Sequence, residues 1–188
     1  MNPPGKTASF AQPFDMLQAC HERLQRLLAT LARMRGHVAL HGADEQARQA
    51  ARDVMRYFDQ AAPQHHRDEE LHVFPRLLAQ GDAAQRALVE RLQQDHHAMH
   101  AGWERARPVL AALAEGELQR LDPRQEAALV DFASLHASHL EAEEAIAYPA
   151  TRPCFDDAAL AAMGREMGER RGVRIPQAGE GATPSSGG

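Results

Sequence analysis

Two stretches of the chain combine residue types and spacing that can bind metal ions. His65 and Glu69 lie four residues apart in HHRDEELHVFP, and His139 and Glu143 lie four residues apart in HLEAEEAIAYP. Each stretch reads His, three residues, Glu-Glu, three residues, aromatic and Pro. Residues four apart share one face of an α-helix, so each stretch presents an imidazole and a carboxylate on the same side. The repeat therefore predicts two halves of one metal site.

Further histidines occur on predicted helices outside the repeat. In QQDHHAMHAGWE, His96 and His100 are four apart and Trp103 follows three later, all on one helical stripe. His21 lies on the apolar stripe of another helix, in ACHERLQRL. A single His-x-x-x-Glu is more often a surface pair or a buried core histidine, and Trp103 alone is more often a packing residue. The duplication and the third helix together favour a metal site.

The composition of the 188 residues favours helices and excludes several functions. Ala, Leu, Gln, Glu and Arg are abundant while Val, Ile and Thr are sparse, which predicts an all-α fold. The formal charge of -5 provides no basic surface for nucleic acid or an anionic membrane. No apolar run reaches the roughly 18 residues of a membrane span and no signal peptide is recognisable, so we expect a cytoplasmic protein. Cys20 and Cys154 indicate neither a disulfide framework nor a thiolate zinc site.

Apolar periodicity and turn residues predict how the chain is divided. The predicted helices cover residues 13–40, 44–79, 82–114, 122–148 and 156–171. Pro63 and Pro75 interrupt the second helix and predict kinks on either side of the first His/Glu stretch. We expect an irregular arm over residues 1–12, an up-down-up-down four-helix bundle with a short C-terminal helix over residues 13–172, and a disordered tail over residues 173–188.

Short connections between the long helices imply that neighbouring helices run antiparallel, so residues equally far from a turn lie at the same height. The midpoint between each successive pair of site histidines falls in a predicted turn. Seven side chains should therefore meet inside the bundle: His21, His65, Glu69, His96, His100, His139 and Glu143. Two metal ions about 3.5 to 4 Å apart would use such a set, with carboxylates bridging between ions that imidazoles cap. Ligands without thiolates suit iron first, then manganese or zinc.

The sequence also contains residues one position away from these ligands, namely His66 with Glu70, and His97. A shift of one residue turns a side chain by about 100° around the helix, so only one set can face inward. We expect the set that contains His65 to face the metals. Ferritin-like di-iron bundles are the nearest rival architecture, but they need Glu-x-x-His on two helices, and only one such spacing fits here.

At these residues the sequence resembles the hemerythrin-like, HHE cation-binding family. The resemblance runs from about Phe14 to Tyr148 and implies a four-helix bundle with an interior non-heme di-iron site and an oxo or hydroxo bridge. The terminal ligands it implies are His21, His65, His96 and His139, and the bridging carboxylates are Glu69 and Glu143. His100 matches a second histidine on the third helix of oxygen-carrying members. Those members differ in their final acid, an aspartate five residues after the histidine, whereas this chain has Glu143 four residues after His139 and Glu144 five residues after it.

The resemblance implies a range of functions. The first is a binding or sensing protein without turnover, in which two iron ions bind O2 or NO or respond to iron and redox state. The alternative is a di-iron enzyme that acts on peroxide or NO, or donates iron for iron-sulfur cluster repair, with Glu70, Glu144 or Tyr148 assisting proton or electron transfer. A third interpretation is a helical interaction module whose histidines bind nothing. The sequence favours the first and identifies no protein partner.

Overall fold

The computed structural model describes residues 9–173, which form five helices and contain no strand. We name the helices α1 (Pro13–His41), α2 (residues 45–80), α3 (Ala83–Glu115), α4 (residues 123–151) and α5 (Asp157–Arg170). The all-α prediction is confirmed, and the short C-terminal helix is present. Residues 1–8 of the predicted arm and residues 174–188 of the predicted tail lie outside the described residues. Within residues 9–173, no helix is long and apolar enough to cross a membrane.

Aspartates cap the start of four of the helices. The side chains of Asp44, Asp82, Asp122 and Asp156 accept hydrogen bonds from backbone N–H groups of the first turn, which satisfies donors that have no partner within the helix. At Asp82 and Asp122, a glutamine three residues later completes a reciprocal capping box. Gly116 follows α3 with a φ of 81°, a left-handed conformation that glycine adopts without strain. These signals keep the connections short and the neighbouring helices antiparallel.

Three π-helical turns occur in the described chain, each ending two residues before a proline. The turns are Tyr57–Ala61, Glu69–Val73 and Glu143–Ala147, and the prolines are Pro63, Pro75 and Pro149. Proline lacks a backbone N–H and its ring collides with the carbonyl one turn earlier, and a wider turn accommodates both effects within a continuous helix. The structure therefore has π turns where the sequence predicted kinks at Pro63 and Pro75.

Helix α4 is interrupted where the sequence predicted a continuous helix. Its first segment is Pro123–Ser134 and its second is Ala137–Ala142, with Leu135 and His136 in a turn between them. The backbone N–H of Leu140 donates to the carbonyl of His136, so helical hydrogen bonding resumes at once. The side chain of His136 is buried beside this break.

The apolar core has two parts with a polar layer between them. One part contains Leu24 and Phe132, and the other contains Leu17 and Leu92. Along α1, His21 lies between the two parts, on the same buried stripe as Leu17 and Leu24. Side chains in this layer are therefore shielded from water by apolar residues above and below, which makes any unpaired charge there costly.

Helix α5 packs against one core of the bundle and against the chain segment that precedes α1. Met163 and Met167 are buried among the residues of one core. Gly164 lies so close to the chain at Phe10 that a Cβ on Gly164 would be 1.8 Å from the Phe10 carbonyl oxygen. Only glycine permits this approach, so α5 is fixed by backbone contact as well as by its methionines.

A buried ion-pair network also joins α5 to α2. The carboxylate of Asp68 is fully buried and accepts hydrogen bonds from Arg170 and Arg171, each at 2.6 Å. Burial raises the pKa of Asp68, while the two guanidinium groups act in the opposite direction. The buried charge of α2 therefore depends on α5 for its compensation.

Candidate metal centre

Six of the seven predicted site residues meet in the polar layer of the bundle. They form two groups whose ligand atoms lie within 4.8 Å of one another. The first group is His21, His65, Glu69 and Glu143, and the second is Glu69, His96, His139 and Glu143. Each group has two imidazoles of its own, and both groups share the same two carboxylates. The two buried clusters are therefore consistent with a dimetal site.

The shared carboxylates are turned so that each of their oxygens faces a different group. Each imidazole has its Nε2 near one carboxylate oxygen. The pairs are His65 with Glu69 Oε1 (3.2 Å), His96 with Glu69 Oε2 (3.4 Å), His21 with Glu143 Oε2 (3.2 Å) and His139 with Glu143 Oε1 (3.1 Å). Every carboxylate thus directs one oxygen to each group, as a bridging ligand would.

Several polar atoms that face the centre of the cluster make no hydrogen bond of normal geometry with any residue from 9 to 173. They are Nε2 of His65, His96 and His139, Oε2 of Glu69, and both carboxylate oxygens of Glu143. The six side chains are at most 4% exposed, so bulk solvent does not reach these atoms. Unpaired polar atoms in a protein interior cost free energy. Two metal ions would satisfy all of them, and the residues present therefore fit a dimetal cofactor.

The outer nitrogens of three imidazoles face carboxylates. The Nδ1 partners are Glu144 for His21 (2.9 Å), Glu70 for His96 (3.0 Å) and Asp95 for His139 (3.3 Å). A carboxylate on Nδ1 holds the ring in place and directs the lone pair of Nε2 inward, which is how metal-binding histidines are commonly oriented. In contrast, Nδ1 of His65 is buried without a partner. The second acid of each Glu-Glu doublet thus orients a histidine on a neighbouring helix.

Tyr148 adds a hydroxyl to only one group. Its Oη donates a hydrogen bond to Glu69 Oε1 and lies 2.9 Å from His21 Nε2. Its ring stacks on the imidazole of His21, with 5.3 Å between ring centroids. At the matching position of the first stretch, Phe74 lies beside His96 at 5.4 Å. The hydroxyl therefore contacts two proposed ligands on one side, and the other side has none.

The pKa values of the imidazoles diverge because burial and the carboxylates act in opposite directions. Burial would lower the pKa of His21, but the adjacent carboxylates of Glu143 and Glu69 outweigh it and raise the pKa to about 10. The same balance raises the pKa of His96 to about 8. Burial dominates at His65 and lowers its pKa to about 3. Protons on the first two imidazoles would therefore compensate the carboxylates until metal displaces them.

His100 does not join the cluster, contrary to the prediction. Its side chain is 76% exposed, and its Nε2 lies 3.5 Å from Glu104. The one-residue alternatives also lie outside both groups. His66 is partly exposed and stacks on His96 at 3.9 Å, and His97 is exposed. The inward-facing register is thus the one that contains His65.

Sequence reasoning missed the orienting role of Asp95 and assigned Glu70 and Glu144 only as helpers in proton or electron transfer. The doublet itself was the available signal for the two glutamates, since its second acid lies about 100° around the helix from the first. Asp95 directly precedes His96 but contacts a histidine on another helix. Only the packing of α3 against α4 reveals that contact.

The fold and the site together define a helical bundle with a buried centre of four imidazoles and two shared carboxylates. Comparison with known proteins identifies the family within this class. Residues 12–151 match the Hemerythrin HHE cation binding domain, and the chain belongs to that family. It is also 28% identical over 172 residues to an uncharacterized protein of Haemophilus influenzae strain Rd, covering 91% of this chain and 96% of that protein.

Proposed function

We propose that this protein binds two iron ions at the His/Glu centre and uses them to bind O2 or NO, or to sense iron and redox state. The observation that supports the proposal is the pair of four-residue groups that share Glu69 and Glu143. When bound, iron would supply a redox-active centre to which a diatomic molecule can coordinate. The terminal ligands would be His21, His65, His96 and His139, with the two glutamates bridging.

Charge and ligand type support iron. Two divalent ions bring four positive charges against two negative charges of the glutamates, which leaves room for a bridging oxo or hydroxo group. Imidazole and carboxylate without thiolate suit iron, with manganese or zinc as the other candidates. The exposed position of His100 removes the fifth histidine that would have strengthened a comparison with oxygen carriers. The proposal therefore rests on four histidines and two glutamates.

The protein's own side chains have separable tasks in this proposal. The acids on Nδ1 orient the imidazoles, and the apolar layers exclude water from the centre. Tyr148 is held between Glu69 and His21, so its hydroxyl proton lies within the centre. That hydroxyl is the observation that favours the second candidate, an enzyme acting on peroxide or NO or in iron-sulfur cluster repair, because such reactions need a proton donor.

Metal analysis tests the first step. The full chain, loaded anaerobically with ferrous iron and freed of excess metal, should retain about two ions per chain. Less than one ion of iron, manganese or zinc after loading would overturn the proposal and support an interaction module. The double variant Glu69→Gln with Glu143→Gln should then be no less stable to heat than the metal-treated parent.

Stopped-flow spectroscopy of the reduced, iron-loaded protein distinguishes the two functions. Mixing with O2 or NO should give a spectral change that persists and reverses when the gas is removed. Repeated consumption of peroxide or NO by substoichiometric protein would instead establish the enzyme. Tyr148→Phe provides a control, because loss of the proton donor should slow turnover but leave simple binding of NO intact.

A further inference from the structure

A cavity of about 500 Å³ lies between α2, α3 and α4, on the outer side of His96. We propose that it binds a planar aromatic anion of two or three rings. The volume falls within the range of about 300 to 1,000 Å³ that is usual for small-molecule sites. The cavity is separate from the six clustered ligands apart from His96, which contributes to its wall.

Aromatic rings form the inner walls of the cavity. Phe58, Trp103 and Phe132 surround one end, with ring centroids 4.8 to 5.2 Å apart. Phe58 and Phe132 are buried and Trp103 is partly buried. Rings at these distances present faces and edges onto which a flat aromatic molecule can stack. The walls therefore favour a planar ligand over a flexible chain.

Two imidazoles provide polar contacts within these walls. His136 is 2% exposed, and its buried Nδ1 makes no hydrogen bond of normal geometry with any residue from 9 to 173. His66 stacks on His96 and also lines the cavity. Burial lowers the pKa of His136 to about 4, so it is a neutral ring that can donate or accept one hydrogen bond. A buried polar side chain without a partner is unusual, and a polar substituent on the ligand would provide one.

One arginine at the cavity is available to an anionic ligand. The three carboxylates of the lining each contact a residue of the protein: Asp59 contacts Arg107 and the indole N–H of Trp103, Glu70 contacts His96, and Glu104 contacts His100. Arg67 is exposed at the cavity and makes no ion pair with any residue from 9 to 173. Its guanidinium can therefore pair with a carboxylate, sulfonate or phosphate of the ligand.

Fluorescence titration with two naphthalene probes tests the proposal. The anionic probe is 8-anilinonaphthalene-1-sulfonate, and the neutral probe is N-phenyl-1-naphthylamine, which has the same rings without the sulfonate. Trp103 is the only tryptophan of the chain and lines this cavity, so its fluorescence reports probe binding, while a variant that fills the cavity locates the probe. The full chain is loaded with zinc so that the metal does not quench fluorescence. We expect one probe per chain and efficient transfer from Trp103.

Two variants distinguish this cavity from nonspecific apolar binding. Arg67→Gln should weaken binding of the sulfonate about fivefold and leave the neutral probe unchanged. The matched control is Arg105→Gln, an exposed arginine of α3 outside the cavity, which should change neither. Ala62→Leu, which fills part of the cavity, should weaken both probes.

The exposed Arg67 variant keeps the test valid even if Ala62→Leu fails to fold. Equal binding of the sulfonate to the Arg67 and Arg105 variants would overturn the proposed anion site. Several probes per chain, bound equally well by the parent and by Ala62→Leu, would overturn the cavity as the binding place.

Discussion

The two halves of the candidate metal centre are built from the same sequence pattern, yet they have different surroundings. The half with His96 and His139 has an acid on both outer nitrogens and borders the large cavity. In the half with His21 and His65, only His21 has such an acid, and Tyr148 contributes a hydroxyl.

Position by position, the repeat explains where this asymmetry comes from. The aromatic residue before proline is Phe74 in the first stretch and Tyr148 in the second. The residue three positions before the histidine is Ala62 in the first case and His136 in the second. The shared features place metal ligands, while the differing positions determine what else reaches them. We therefore expect the two metal positions to be inequivalent, one next to a phenol and one next to the cavity.

The largest expected effect comes from the carboxylates that both halves share. Glu69→Gln or Glu143→Gln should reduce metal content from about two ions per chain to none, because each glutamate belongs to both groups. His65→Ala or His139→Ala should leave about one ion. Elemental analysis of purified protein measures this, with the exposed Glu141→Gln as a control. Retention of one ion by both Gln variants would show that the halves are independent.

The acids on the outer nitrogens give the next largest effect and address one half at a time. Glu144→Gln should weaken metal binding in the half with His21, and Glu70→Gln in the half with His96, each by about 10-fold to 100-fold. Competition with a chromophoric chelator should then show one weakened and one unchanged binding step. If either variant weakens both steps equally, the division into halves is wrong.

His136, which lines the cavity beside one half of the centre, should make the unfolding free energy of the protein sensitive to acid. Burial lowers the pKa of His136 to about 4, so its contribution to stability is complete above about pH 6.5 and is lost as the pH falls toward 4. Between pH 7 and 5, the metal-free parent should lose about 1 to 2 kcal/mol more unfolding free energy than His136→Gln. Urea unfolding at both pH values measures the difference. The exposed His97→Gln should behave like the parent, and equal losses in all three proteins would refute the assignment.

Tyr148→Phe should have the smallest effect of these variants on stability, and it should make the two halves of the metal centre more alike. Loss of the hydroxyl removes hydrogen bonds to Glu69 and His21, and should destabilise the metal-free protein by about 1 kcal/mol. Metal would satisfy the same ligands, so the loaded protein should be affected less. Thermal unfolding with and without metal tests this. Tyr57→Phe is the control, since its hydroxyl bonds to the Cys20 carbonyl and should matter equally in both states.

The helices and most of the cluster could be predicted because they follow from local rules. Caps such as Asp82 and Asp122 mark helix starts whatever the tertiary packing. Apolar stripes indicate which side of each helix faces inward, and the expected register, with His65 rather than His66 inside, is the one in the structure. The equal heights of the site histidines in an antiparallel bundle then predicted which side chains would meet.

The features that sequence reasoning missed depend on the backbone or on a neighbouring helix. The spacing of His96 and His100 suggests one shared face, as it does correctly for His65 with Glu69. Whether a neighbouring helix covers the second residue is not encoded in the spacing, and the side chain of His100 is left exposed to solvent. The π turns arise from how the backbone accommodates the prolines that follow them, and neither these turns nor the break beside His136 is encoded in apolar periodicity.

The contact between Asp68 and α5 has a practical consequence for the choice of domain boundaries. The family match ends at residue 151, before α5 begins. A protein shortened to that limit would leave the buried carboxylate of Asp68 without Arg170 and Arg171, directly beside Glu69 in the chain. An uncompensated buried charge there would compete with the bridging glutamate for any cation. We therefore expect the folded unit to extend at least through Arg171.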